Sequence, residues 1–154
     1  MAERLRAQDV FDFLRPEQVN VISEASDKVA YAAGETVYER GAKADHIYAV
    51  LDGEVTLRLP GKSGVSVVID QLSKGGLFGS CTCLGRDKYA LTAQCSADSH
   101  LLRIEHSVLK SLMDEDLVMG YALQSRFSEI YFGRYVETMK KLQAIVMNIP
   151  VETD

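Results

Sequence analysis

The side chains of this 154-residue chain best suited to hold a metal or pass electrons are three cysteines, Cys81, Cys83 and Cys95, and three histidines, His46, His100 and His106. One residue separates Cys81 from Cys83, and the odd total makes a poor disulfide framework. A structural zinc needs about four closely spaced ligands, and the histidines do not fall near the cysteines in that manner. Reduced thiols in a half-buried region are the simplest reading. No His-x-His pair, no paired carboxylates and no nucleophile beside a base stand out, so an enzyme is not expected.

The elements that must carry these residues follow from composition and periodicity. The chain is 47% hydrophobic and 25% charged, the balance of one ordinary globular domain. Its 17 basic residues against 22 acidic ones give a net charge of −5, which argues against direct nucleic-acid binding. No stretch approaches the roughly 20 apolar residues that span a bilayer. The start, Met1 to Arg6, has no apolar signal core, so no membrane contact and a cytoplasmic location are expected.

Two short helices are expected first, over Val10 to Leu14 and from Pro16 to Ile22. The period then switches to two, through Lys28–Tyr31, Thr36–Tyr38, His46–Leu51 and Glu54–Leu59. Asp52-Gly53 between the last two runs is a strong hairpin signal. Val65–Ile69, Leu77-Phe78, Ala90–Ala93 and Leu101–Ile104 complete about eight short strands, the pattern of an antiparallel barrel or jelly roll. From Ser107 the period is helical, with a second helix starting at Asp114-Glu115-Asp116 and running unbroken to Asn148. The expected division is a β-barrel with its N-terminal helices over 1–113, a long helix over 114–148, and a tail over 149–154. Phe127, Tyr131, Tyr135, Met139, Leu142 and Val146 make the long helix too broadly apolar for one client, so they are expected to form the seam of a homodimer. Glu129, Arg134, Glu137, Lys140 and Lys141 hold its other face, and Gly120 and Gly133 would allow close approach or bending.

Gly34-Glu35, Gly41, the run Asp45 to Val55, and Gly75-Gly76-Leu77-Phe78-Gly79 together resemble the glycine and strand signature of the cyclic nucleotide-binding domain. That domain occurs in catabolite activator and fumarate-nitrate regulator transcription factors, in cyclic nucleotide-dependent kinases and in gated channels. The resemblance covers nearly the whole chain. It implies a mainly β fold, a double-stranded β-helix or jelly roll with flanking helices and a long C-terminal helix that pairs with its twin.

In that family a Glu after the Phe-Gly binds the ribose, a short helix offers N–H groups to the cyclic phosphate, and an Arg further along pairs with it. The resemblance therefore implies a ligand-binding cassette here of Phe78, Gly79, Ser80, Cys81, Thr82, Lys88, Tyr89, Ala90 and Thr92. Ser80 stands where the Glu is expected and Tyr89 where the Arg is expected, while Thr92 keeps its family position. Losing a partner of a buried charged hydrogen bond costs about 2–5 kcal/mol, so cyclic AMP is not expected to bind by the usual anchors. Lys88, with Arg86 nearby, is the candidate substitute cation, although a Lys gives a point charge rather than a fork.

The implied function is a ligand-sensing regulatory module that signals through its C-terminal helix, its ligand a cyclic nucleotide or another small anion. A ligand-free dimeric scaffold, or a redox or gas sensor using Cys81 and Cys83, are the alternatives. The family's transcription factors continue into a DNA-reading domain, whereas only Ile149 to Asp154 follow here. The effector is accordingly expected to be another protein or a further domain.

Overall fold

A computed structural model describes residues 9–148, so the expected tail at 149–154 lies outside the described residues. Eight strands form two four-stranded antiparallel sheets among them. In chain order these are β1 (Ser26–Tyr31), β2 (Thr36–Tyr38), β3 (His46–Asp52), β4 (Val55–Pro60), β5 (Ser66–Leu72), β6 (Leu77–Phe78), β7 (Thr92–Cys95) and β8 (Ser99–Glu105). One sheet runs β1-β8-β3-β6 and the other β2-β7-β4-β5, the jelly roll that the strand pattern predicts.

The roll has two cores because one of its sheets is buried on both faces. On β3, Ile47 and Ala49 point to the helices, while Tyr48 and Val50 point into the roll. His46–Leu51, expected as an alternating strand, is instead buried continuously from Ile47 to Val50 because both of its faces are covered. One expectation changes here. Asp52-Gly53 does not close a hairpin, because β3 pairs with β8 and β6 while β4 pairs with β5 and β7. The turn is instead a corner between sheets, held by the Glu54 N–H donating to Ser99 Oγ at 3.0 Å. The actual hairpin is the next one, β4 to β5, where the Gly61 N–H donates to the Val65 carbonyl at 2.8 Å.

Three helices cover the outer face: α1 (Pro16–Glu24), α2 (His106–Glu115) and α3 (Leu117–Met147). The segment before α1 is a short 3-10 turn at Asp9–Phe11 rather than a helix. The long helix starts later than expected, since Asp114 and Glu115 end α2. Asp116, with extended backbone, caps α3 by accepting from the Met119 N–H at 3.0 Å. Its other oxygen takes the Gln18 amide at 3.0 Å and so ties α1 to the start of α3. At Gly120 a Cβ would meet the Met113 carbonyl, so only glycine allows α2 and α3 to approach this closely. Nothing crowds Gly133.

Phe127 is corrected as a member of a dimer seam. Phe127 is 0% exposed and packs with Phe11, Leu102 and Leu109 in the helical core. Tyr131 packs against the interior of the roll. The helix rotates its apolar positions so that the first half serves the domain itself. Tyr135, Met139, Leu142 and Val146, together with Phe132 and Ile145, remain exposed.

Phe127→Ala is therefore expected to cost about 3–5 kcal/mol of stability, as for a fully buried aromatic. Phe132→Ala, at a 65% exposed position, is expected to stay within about 0.5 kcal/mol. Urea denaturation of the two variants in parallel measures the difference.

Candidate functional site

The interior of the roll holds a cluster of aromatic side chains among its aliphatic ones. The Tyr89 ring is 5% exposed and stacks on Tyr38 with centroids 3.6 Å apart. Tyr48 stacks on Phe78 at 5.2 Å, and Tyr38 lies 5.9 Å from both of those rings. The Tyr89 hydroxyl donates to the His46 carbonyl at 2.7 Å and accepts from the His46 N–H at 3.2 Å. Both of its hydrogen-bonding roles are met by the β3 backbone. The segment carrying Tyr89 is laced to the loop before β3, with the Gly41 N–H on the Tyr89 carbonyl at 2.8 Å and the Tyr89 N–H on the Ala42 carbonyl at 3.0 Å.

Gly79 makes this packing possible. Its φ is +79°, and a Cβ there would press on the His46 carbonyl and on the Tyr48 and Tyr89 rings. Glycine is required both for the backbone angle and for the approach of the ring.

Beyond the stacked rings a cavity of about 260 Å³ lies between the roll and α3. Leu57, Ile69 and Leu91 give it apolar walls, Gly79, Cys81, Tyr89 and Ala90 come from the cassette, and Tyr131, Arg134, Tyr135 and Thr138 come from α3. Burial pushes the Tyr38 and Tyr131 hydroxyls above the usual phenol range, and it pushes Tyr89 up to about 12 against the opposing pull of the His46 backbone. All three phenols are therefore neutral at physiological pH.

Arg134 contributes the formal charge. Its side chain is 11% exposed, and its Nε donates to Asp70 Oδ2 at 2.8 Å. A second nitrogen donates to the Leu77 carbonyl on β6. One guanidinium thus fastens α3 to both sheets. On its other side lies a wider groove between β5 and α3, which Asp70, Glu137 and Lys141 also line.

The residues expected from sequence divide clearly. Phe78, Gly79, Cys81, Tyr89 and Ala90 line the cavity or the roll interior. Ser80 is fully buried, and its Oγ has no hydrogen bond of good geometry, although it lies close enough to the Tyr131 hydroxyl to lower that phenol's pKa. The side chain of Thr82 lies outside what is described. Lys88 is exposed and does not line the cavity. Its backbone bridges Lys43, and its carbonyl faces Cys81 Sγ at 3.6 Å. Thr92 is likewise committed elsewhere, its hydroxyl accepting from the Arg40 N–H at 3.1 Å.

The short segment Ser80–Leu84 is a single 3-10 turn. Cys81 packs into the roll and Cys83 against the helical core, and all three thiols are free of disulfide. Burial pushes the Cys95 thiol up. Among the described residues no three of His, Cys, Asp and Glu converge as a metal site would require. Nor is any described helix long and apolar enough to cross a membrane.

Sequence reasoning missed Tyr38 and Arg134 as site residues and placed Tyr131 and Tyr135 only at a dimer seam. The available signal was the helical offset from Phe127, which puts 131, 134, 135 and 138 on adjoining faces one turn or more further on.

The family model for the cyclic nucleotide-binding domain matches residues 28–116. The chain belongs to that family. The matched stretch runs from β1 to the cap of α3, so the cyclic nucleotide-binding domain model includes the cassette but none of the cavity residues that α3 supplies. A lysophospholipase, nte1, from Aspergillus oryzae is 28% identical over 102 residues, which are 66% of this chain and 7% of that protein. The chain therefore spans only a small part of that relative.

Among solved structures, the sensor domain of the transcriptional regulator DNR from Pseudomonas aeruginosa superposes with a TM-score of 0.73 at 20% identity, covering 84% of this chain and 91% of that one. The catabolite activator protein of Thermus thermophilus gives 0.68 at 21% identity, covering 89% and 62%. At these identities the likeness is one of fold.

Tyr89→Phe removes a phenol that is bonded twice to the β3 backbone. It is expected to cost about 1–3 kcal/mol, because the His46 N–H and carbonyl are left without their partner. Chemical denaturation, with the near-ultraviolet circular dichroism of the tyrosines followed in parallel, measures that loss.

Proposed function

We propose that this domain is a ligand-sensing regulatory module, in which a small molecule between the roll and α3 changes how α3 is held. The observation that carries this reading is that α3 itself supplies a wall of the cavity, through Tyr131, Arg134, Tyr135 and Thr138. Occupancy and helix position are then linked, since a ligand that contacts α3 must favour one of its positions over another. The module works without the family's paired carboxylate and guanidinium anchors. Supporting this, Ser80 is buried, Tyr89 is satisfied by backbone, and Lys88 lies outside the cavity.

The signal leaves through a homodimer formed along the exposed half of α3. Tyr135, Met139, Leu142 and Val146 are each exposed by 43% to 60%, beside Phe132 and Ile145. An apolar stripe of this kind is a liability unless it is covered. A second reading, a dimeric scaffold that binds no ligand, draws support from the Tyr38–Tyr89 stack that already fills much of the roll.

A thermal-shift panel of cyclic mononucleotides, cyclic dinucleotides, haem and common metabolites separates the two readings, with hydrogen exchange of α3 measured for every compound that shifts. The sensor reading expects a stabilising compound that slows exchange over residues 131–138. No shift from any class favours the scaffold. Sedimentation at tens of micromolar is expected to show a dimer that Met139→Lys with Leu142→Glu converts to a folded monomer, and a monomeric unaltered protein would overturn the seam.

A further inference from the structure

We propose that the cavity beneath α3 takes a small, flat aromatic carboxylate, with the carboxylate on Arg134 and the ring among Tyr38, Tyr89 and Tyr131. The inference rests on the ligand-sensing reading and names the chemical class of the ligand. Size is the first argument. About 260 Å³ lies below the roughly 300–1,000 Å³ of sites for drug-sized molecules, which leaves room for one or two fused rings.

The walls are the second argument. Leu57, Ile69 and Leu91 offer no hydrogen bonds from their side chains. A ribose set against them would bury hydroxyls without partners, a heavy penalty. A planar ring gains instead from offset or edge-to-face contact with the tyrosine rings.

Charge is the third. Arg134 is the one ionised side chain among the residues lining the cavity, and no carboxylate lines it. Its partner Asp70 lines only the outer groove, where its side chain is 31% exposed. Among the described residues Arg134 uses two of the five N–H groups that a guanidinium carries. The remainder form the planar donor set that a carboxylate matches. The Tyr38 hydroxyl, which also lines the cavity, adds a neutral donor on the side of the roll.

The test is calorimetry of the full chain with 2-naphthoate, with the neutral isostere 2-naphthalenemethanol and with cyclic AMP. Naphthoate is expected to bind at least about tenfold more tightly than the alcohol, the value of one charge-assisted hydrogen bond. Arg134→Gln is expected to remove the preference, so that naphthoate and the alcohol bind with equal affinity. Thr138→Trp, which fills the cavity and leaves the Asp70 ion pair in place, is expected to abolish both, and it serves where Arg134→Gln does not fold. Equal binding of acid and alcohol, or a preference that survives Arg134→Gln, overturns the assignment of the carboxylate. Binding of cyclic AMP or another compound of the panel with neither naphthalene overturns the ligand class and leaves the sensor reading standing. Silence from every compound overturns both.

Discussion

The Arg134 guanidinium is the joint on which the arrangement of this domain depends. It is nearly buried, it joins α3 to β5 through Asp70, and it joins α3 to β6 through the Leu77 carbonyl. A helix lying on a sheet through apolar contacts alone can slide or roll at small cost, whereas a planar fork with two directional acceptors sets its rotation. With that rotation set, Phe127 enters the helical core and Tyr131 closes the roll one turn later. The net contribution of such an ion pair to stability is modest, because desolvation offsets most of the attraction. Its larger effect is positional, and the position of α3 decides whether there is a cavity at all.

The same geometry shapes the interior of the roll around Tyr89. Tyr89 is held within the domain by its own neighbours. It stacks on Tyr38 and returns its hydroxyl to the His46 backbone. The fold retains the glycine that permits this, since Gly79 leaves open the space that the ring occupies. Both the cassette and α3 line the cavity beside it, and α3 brings Arg134 to it.

Much of the fold was legible in the sequence, because strand periodicity and turn residues act locally. The eight strands and the long terminal helix follow from patterns within a few residues, whereas the double burial of His46–Leu51, read as an alternating strand, depends on the helices that cover it. Asp52-Gly53 misled because the turn residues of a hairpin and those of a corner between sheets are the same. Which of them forms depends on whether β3 finds β4 or β8, and that pairing is non-local. Phe127 and Phe132 are equally apolar in sequence, and only the setting of α3 against the roll separates a core residue from an exposed one. Arg134 was hidden for a related reason. A cation among Glu129, Glu137, Lys140 and Lys141 reads as part of a solvated face, and its partner Asp70 lies 64 residues away.

A double-mutant cycle on Arg134→Met and Asp70→Ala, read by urea denaturation at low and moderate salt, tests the joint most directly. A coupling energy of at least about 1 kcal/mol that persists at moderate salt is expected for a partly buried pair that sets the helix. Additivity within about 0.5 kcal/mol would contradict it and would return α3 to a helix held by its apolar contacts alone.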